Sequence, residues 1–276
     1  ITMKQILEYT DYKVNYVTLT LFFVFVCGLS LNFYLSVIFG VTFLGVISSV
    51  ILYNFAFTIW HEAAHNNIFR QELKSYNTVV GFITSFFNLN PGFFGLKHDH
   101  LLHHMYTIDE DKDRTHPRLT DKIFSVPFGI IKEMFTRKKY EKNFGIKNES
   151  KRKIDRYAKL LFLLFVLITF LLGYGINFLL IFLLPRMIIL PIHTVYVCYL
   201  PHVNLPKNSE KSTRNLKTNF IIKILTLYHS YHGVHHIYPS IPWNKYEKFY
   251  KENLDDINSK VSEEKSFISL FNEKLI

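Results

Sequence analysis

Eight of the thirteen histidines in this 276-residue chain fall in three short clusters, and histidines at helical spacing aim several nitrogen ligands at one point. His61-Glu62-Ala63-Ala64-His65 puts two imidazoles one helical turn apart on the same face. His100-Leu101-Leu102-His103-His104 and His232-Gly233-Val234-His235-His236 share a second spacing, i, i+3 and i+4. Within each of these the adjacent pair points about 100 degrees apart around the helix, so the two neighbours can serve different metal ions. Neutral imidazole binds iron, zinc, copper and nickel, and the ligand type leaves the metal open. The two cysteines, Cys27 and Cys198, can form neither a disulfide framework nor a four-cysteine metal site.

The segments that must carry these clusters are apolar on the scale of a membrane. Hydrophobic residues make up 49% of the chain, with 27 Phe, 17 Tyr and a mean hydropathy of +0.12, which excludes disordered, fibrous and collagen-like classes. Residues 14–61 hold no Asp, Glu, Lys or Arg, and residues 160–206 hold only Arg186. A helix needs about 20 apolar residues to cross a bilayer, so each region has room for two crossings. The expected spans are about 14–32 and 35–60, with a turn near 28–33, then 158–174 and 176–200, broken at Gly173-Tyr174-Gly175-Ile176-Asn177. The expected fold is all-α: a multi-pass integral-membrane protein, one domain over 1–276, with two transmembrane helical hairpins (four spans). A cytoplasmic helical cap over 61–157 and 202–276 would carry the histidine clusters.

Apart from Arg186, every Lys and Arg lies before Val14, between His61 and Lys159, or after His202. By the positive-inside rule both termini, the central loop and the clusters therefore face the cytoplasm, across an inner or plasma membrane if the source is bacterial. The net charge of +10 follows from this topology and from contact with anionic lipid headgroups, and no nucleic-acid-binding motif accompanies it. A removable signal peptide is not expected, because no charged segment precedes a short apolar stretch with a small-residue cleavage site. His202, in Leu200-Pro201-His202, falls where the second hairpin returns to the cytoplasm, at the depth of the clusters, and is added as a ninth ligand.

Three shorter apolar stretches, 76–87, 123–135 and 216–227, suit helices lying in the membrane interface. The charged run 137–159 reads as a solvated face, and Arg186, between Pro185 and Pro191, as a packing or helix-break charge. His98, His116, His193 and His229 lack the placement of the other nine. Of these His229, one turn before His232, is the candidate to support a ligand.

Nine histidines exceed what one tetrahedral zinc uses, so two metals with four or five nitrogens each is the economical count. Zinc does not change oxidation state, whereas a redox-active pair beneath a bilayer suits activation of O₂ beside an unreactive hydrocarbon chain. Two rival readings stand. His61-Glu62-Ala63-Ala64-His65 is also the HExxH signature of zinc metalloproteases, with Glu62 as general base, but a membrane protease leaves six or seven histidines without a role. A metal transporter or store would place its ionisable ligands inside the spans rather than at their edge.

The order HxxxH, HxxHH and HxxHH, interleaved with two membrane hairpins, resembles the membrane-bound fatty acid desaturase superfamily. That superfamily also includes sterol, acyl and alkane hydroxylases and the carotenoid ketolases and hydroxylases. The likeness runs from about residue 14 to about residue 250, and the third cluster continues Ile237-Tyr238-Pro239-Ser240-Ile241-Pro242-Trp243, the family's HHxxPxxPW ending. Tyr199-Leu200-Pro201-His202 is similar both to an additional ligand site of acyl-CoA desaturases and to a segment of bacterial carotenoid ketolases. The resemblance implies a non-heme centre of two Fe ions, O₂ as co-substrate, and oxidation of a lipophilic acyl or isoprenoid chain. Its implied metal ligands are His61, His65, His100, His103, His104, His202, His232, His235 and His236, with Glu62, Asp111, Asp113 and His229 as candidates to orient them. Fatty acyl desaturation or hydroxylation is the favoured activity, and carotenoid ketolation or hydroxylation the alternative. Two cysteines cannot hold an iron–sulfur cluster, so electrons are expected from a separate donor, ferredoxin or cytochrome b5-like, docking on the basic face. This chain departs from the family twice. Cys198 stands where acyl-CoA desaturases have Asn, and Thr107-Ile108 stands where the family often reads Thr-Asn.

Overall fold

A computed structural model of the chain describes residues 1–207 and 209–273. It is 73% helical with little strand. The elements that matter here begin with α1 (Met3–Thr10), α2 (Tyr16–Phe39), α3 (Phe43–His65), α4 (Tyr76–Phe87) and α5 (Phe93–Met105). They continue with α6 (Val126–Phe144), α7 (Glu149–Leu171), a helix over Gly175–Tyr199 with π-type turns at Leu179–Leu183 and Thr194–Tyr199, and short helices after it. Two strands, β1 (Arg214–Lys217) and β2 (Ser262–Ser266), pair in parallel. The described residues form two compact units, one within 13–97 and 146–190, the other within 1–12, 98–145 and 191–273.

In the first unit, α2 and α3 form the expected apolar hairpin, but its turn lies elsewhere. Residues 28–33 continue α2, and the chain reverses after Gly40, whose φ of +81° suits a residue without a side chain. Gly28 serves packing instead: a Cβ there would stand 2.9 Å from Leu52 Cδ1, so the glycine lets α2 and α3 approach closely, as small residues do between membrane helices. Beside it, Asn32 donates to Ser48 Oγ at 2.8 Å and Ser49 Oγ at 3.1 Å. The side chain of Thr42 caps α3 at Gly45 N, and the helix ends at left-handed Asn66, just past His65.

Among the described residues, three helices are long and apolar enough to cross a membrane: α2, α3 and Gly175–Tyr199. The segment expected at 158–174 is the apolar second half of α7, whose first half is charged. The break between it and the next helix falls at Gly173, at a φ of +83°, as the sequence suggested. In the run 137–159, ion pairs such as Arg152–Glu149 are exposed, but Asp155 is not part of a solvated face. It is buried and caps α5, accepting from Phe94 N at 3.1 Å and Gly95 N at 2.7 Å. Arg186 has a packing role: its Nε donates to the carbonyl of Asn88, the residue that ends α4, where a cation complements the helix dipole.

The second unit is built from short pieces around the second and third histidine clusters. The stretch 123–135 becomes a tight turn running into α6, whereas 76–87, in the first unit, is helical as expected. The stretch 216–227 is not one interfacial helix. Leu216 and Lys217 belong to β1, and only Phe220–Leu225 is helical, because Leu216 is buried against Tyr199, Leu200 and Leu270 rather than turned outward.

Candidate metal centre

Seven of the nine candidate ligands lie in the second unit, on three supports: the C-terminal half of α5, the turn after Gly175–Tyr199, and the six-residue helix His232–Ile237. The ligand nitrogens of His103, His202, His232 and His236 all lie within 4.8 Å of one another. His202 Nε2 is 2.9 Å from His232 Nε2, which is 3.0 Å from His236 Nε2. A second set forms beside it, with His104 Nε2 at 2.8 Å from His235 Nε2 and 3.2 Å from His100 Nε2. The adjacent pairs His103/His104 and His235/His236 thus divide between two sets, as their angular separation on a helix predicts.

What lies behind these rings decides which nitrogen is bare. His103 Nδ1 is 2.8 Å from Asp113 Oδ2 and 3.2 Å from Thr115 Oγ1. His202 Nδ1 is 2.8 Å from the carbonyl of Ser212, and His235 Nδ1 is 3.0 Å from Tyr246 Oη. A carbonyl accepts only from an N–H, so His202 carries its proton on Nδ1 and presents an unprotonated Nε2 to His232. Burial, with His103 alongside, lowers the His202 pKa to about 3, and burial holds His232 and His236 well below the ordinary histidine value. Burial pushes the Asp113 carboxyl up, but His103 and Thr115 outweigh it and hold the carboxyl at about 2, ionised.

His202, with its proton on Nδ1, offers its Nε2 lone pair toward His232, and Nε2 atoms 2.8–3.2 Å apart in both sets are close enough to share a cation once each ring turns a lone pair inward. Nitrogens about 2.1 Å from one ion are about 3.0 Å apart at right angles and about 3.4 Å apart in a tetrahedron. The observed separations lie within reach of one shared ion, so the donor set fits a transition metal bound by imidazoles.

His61 and His65 belong to the first unit, at the end of α3, with ring centroids 4.9 Å apart. Glu62 between them is fully buried, its Oε1 3.6 Å from His61 Nδ1. The two candidate aspartates part company: Asp113 supports His103, whereas Asp111 is exposed on the surface loop and takes no place behind a ligand. His229 is buried with its ring centroid 6.3 Å from that of Tyr246, and burial lowers its pKa to about 3. The other histidines have structural surroundings: His98 Nε2 meets the carbonyl of Phe144 at 2.7 Å, His193 packs on Tyr196, and His116 opens a tight turn. Cys198 is buried beside Thr115, the hydroxyl that contacts both His103 and Asp113.

Sequence reading missed the residues that hold the clusters in place. Glu133 of α6 is buried and pairs with Arg114 at 2.9 Å and with Arg118, while Arg114 also pairs with Asp99, the neighbour of His100. Asn215 Oδ1 accepts from Val234 N at 3.1 Å, inside the third cluster. A Cβ on Gly233 would stand 2.9 Å from that oxygen and 3.0 Å from Val261 Cγ1. Gly233→Ala is therefore expected to cost about 1–3 kcal/mol and to displace the third cluster, measured as a lower unfolding temperature together with weaker metal retention.

A largely helical chain with membrane-length helices and clustered imidazoles that could hold metal has the features of a membrane-associated protein of the histidine-cluster type. The chain belongs to the fatty acid desaturase family, whose model matches residues 32–262. No curated protein matches it. Membership supports oxidation by a histidine-cluster metal site and membrane association.

The second departure from the family pattern now has a physical consequence. Ile108 has a φ of +69°, a left-handed conformation that Asn adopts readily and a β-branched residue does not, and it thereby aims its N–H at Asp113 Oδ2, 3.0 Å away. Ile108→Asn is expected to stabilise the protein by about 1 kcal/mol, read as a higher unfolding temperature in detergent with metal content unchanged.

Proposed function

We propose that this chain is an O₂-dependent membrane oxidoreductase of lipid metabolism that desaturates a fatty acyl chain at a non-heme di-iron centre. The observation that carries the proposal is the close approach of imidazole Nε2 atoms in two sets, with Asp113, the Ser212 carbonyl and Tyr246 beside the Nδ1 atoms of His103, His202 and His235. His61 and His65 complete the ligand set by their place in the family motif. When bound, the two irons would supply the oxidising power to remove hydrogen from an unactivated methylene.

The protein's own residues have definite tasks in this reading. The imidazoles bind as neutral donors, and burial holds His202, His232 and His236 below the ordinary histidine range, neutral at physiological pH. Asp113, ionised, accepts from His103 Nδ1–H and strengthens that ring as a donor, and Thr115 and the Ile108 N–H fix the carboxylate. The supports exclude water, since His202, His232 and His235 are all essentially buried. Forming one double bond removes two hydrogens from the substrate, and O₂ becomes two waters by taking these with two further electrons and two protons. Those electrons come from a separate donor protein of the ferredoxin or cytochrome b5 type. The chain crosses the bilayer four times, with the apolar half of α7 as the third crossing, and its termini and centre face the cytoplasm.

A membrane zinc protease would use His61, Glu62 and His65 and leave the set of His103, His202, His232 and His236 without purpose. The deciding experiment is expression in a host that supplies both acyl lipids and β-carotene, followed by mass analysis. Acyl products lighter by two hydrogens support desaturation. A gain of one oxygen on an acyl chain indicates hydroxylation, an oxidised carotenoid indicates the alternative substrate class, and unchanged lipids would contradict the proposal.

A further inference from the structure

Among the outer partners of the clustered imidazoles is a phenol, Tyr246, that lies outside the motifs. Tyr246 opens the helix Tyr246–Glu252, eleven residues after His235, and is fully buried. Its hydroxyl lies 3.0 Å from His235 Nδ1, while the opposite nitrogen of the same ring lies 2.8 Å from His104 Nε2. His235 sits on a helix of only six residues, too short to hold a ring orientation by itself. The Tyr246 helix is anchored independently, because Tyr250 Oη donates to Asn258 Oδ1 at 3.2 Å and Phe249 packs on Tyr9 and Tyr238.

We propose that Tyr246 is a positioning residue for the metal centre, its phenol oxygen accepting Nδ1–H of His235 and so fixing the tautomer and the ring plane that present Nε2 beside His104. This rests on the di-iron reading above and extends it to a specific residue. It also gives the two nitrogen sets unlike support. In the set containing His103, a ring is backed by an ionised carboxylate. In the set containing His235, a ring is backed by a neutral phenol, which withdraws less of the proton and leaves that ring the weaker donor.

The test uses the purified full chain reconstituted with ferrous iron and challenged with an iron chelator, alongside Mössbauer spectroscopy on ⁵⁷Fe-loaded protein. Tyr246→Phe removes one oxygen and keeps the ring. Tyr250→Phe, on the same helix, removes a hydroxyl that bonds only within the scaffold as far as the hydrogen bond to Asn258 is concerned, and controls for general loosening. The expected result is that Tyr246→Phe releases one of two irons at least about tenfold faster and changes one Mössbauer component, while Tyr250→Phe matches the parent in both. Parent-like release and spectra for Tyr246→Phe would overturn the inference, as would equal losses in both variants. If the parent protein itself takes up no iron, it is the di-iron reading that fails.

Discussion

His103→Ala is expected to reduce oxidation of the lipid substrate below detection and to weaken metal retention by more than about a hundredfold, beyond the range seen for loss of a ligand's outer partner. His103 is buried, and its ring lies among those of His202 and His236 at centroid distances of 5.0 Å each. Removing it takes one nitrogen from a set of four and leaves the Asp113 carboxylate without the imidazole it supports. None of the helices long and apolar enough to cross a membrane, α2, α3 and Gly175–Tyr199 among the described residues, contains His103, so the variant should still fractionate with membranes. Iron analysis and product analysis on the same preparation check the expectation. Full activity in a correctly inserted variant would remove His103 from the centre.

Glu133→Ala is expected to destabilise the protein by about 3–5 kcal/mol, because it leaves two partly buried guanidinium groups without their shared carboxylate. Glu133 is 3% exposed, and the Arg114 and Arg118 side chains are 13% and 23% exposed, so water can compensate little of the loss. The effect should reach the metal. Arg114 and Arg118 lie in the loop that bears Asp113 and Thr115, and Arg114 also holds Asp99 beside His100. A lower unfolding temperature accompanied by loss of iron is the expected pair of results. Glu133→Gln, which keeps a hydrogen-bond acceptor, should lose less of both. A parent-like unfolding temperature for the alanine variant would show that this network does not bind the loop to α6.

The histidine clusters, their pairing into two sets and the apolar hairpin were legible because they depend on short-range periodicity, which a helix converts directly into position. His202 was legible because the end of an apolar run places it. Other features depend on contacts between segments far apart in the chain, and no spacing rule encodes those. Tyr246 meets His235 through a tight turn after Pro242, Asn215 meets Val234 from a strand, and Glu133 of α6 meets Arg118 from fifteen residues further along. The turn of the first hairpin was misplaced for a related reason. Gly28 carries the same letter whether it breaks a helix or lets two helices touch, and only Leu52 across the interface decides between them. Asp111 and Asp113 were equivalent as letters two residues apart, and the left-handed turn at Ile108 is what brings the second of them behind His103.

Metal analysis of the purified chain, with Mössbauer spectroscopy of the ⁵⁷Fe-enriched protein, decides whether the clustered imidazoles hold the proposed pair of irons. Two irons per chain, nitrogen-ligated and lost together with activity on chelation, are the predicted result. A single zinc per chain, with activity abolished by Glu62→Gln but retained in His103→Ala, would contradict it.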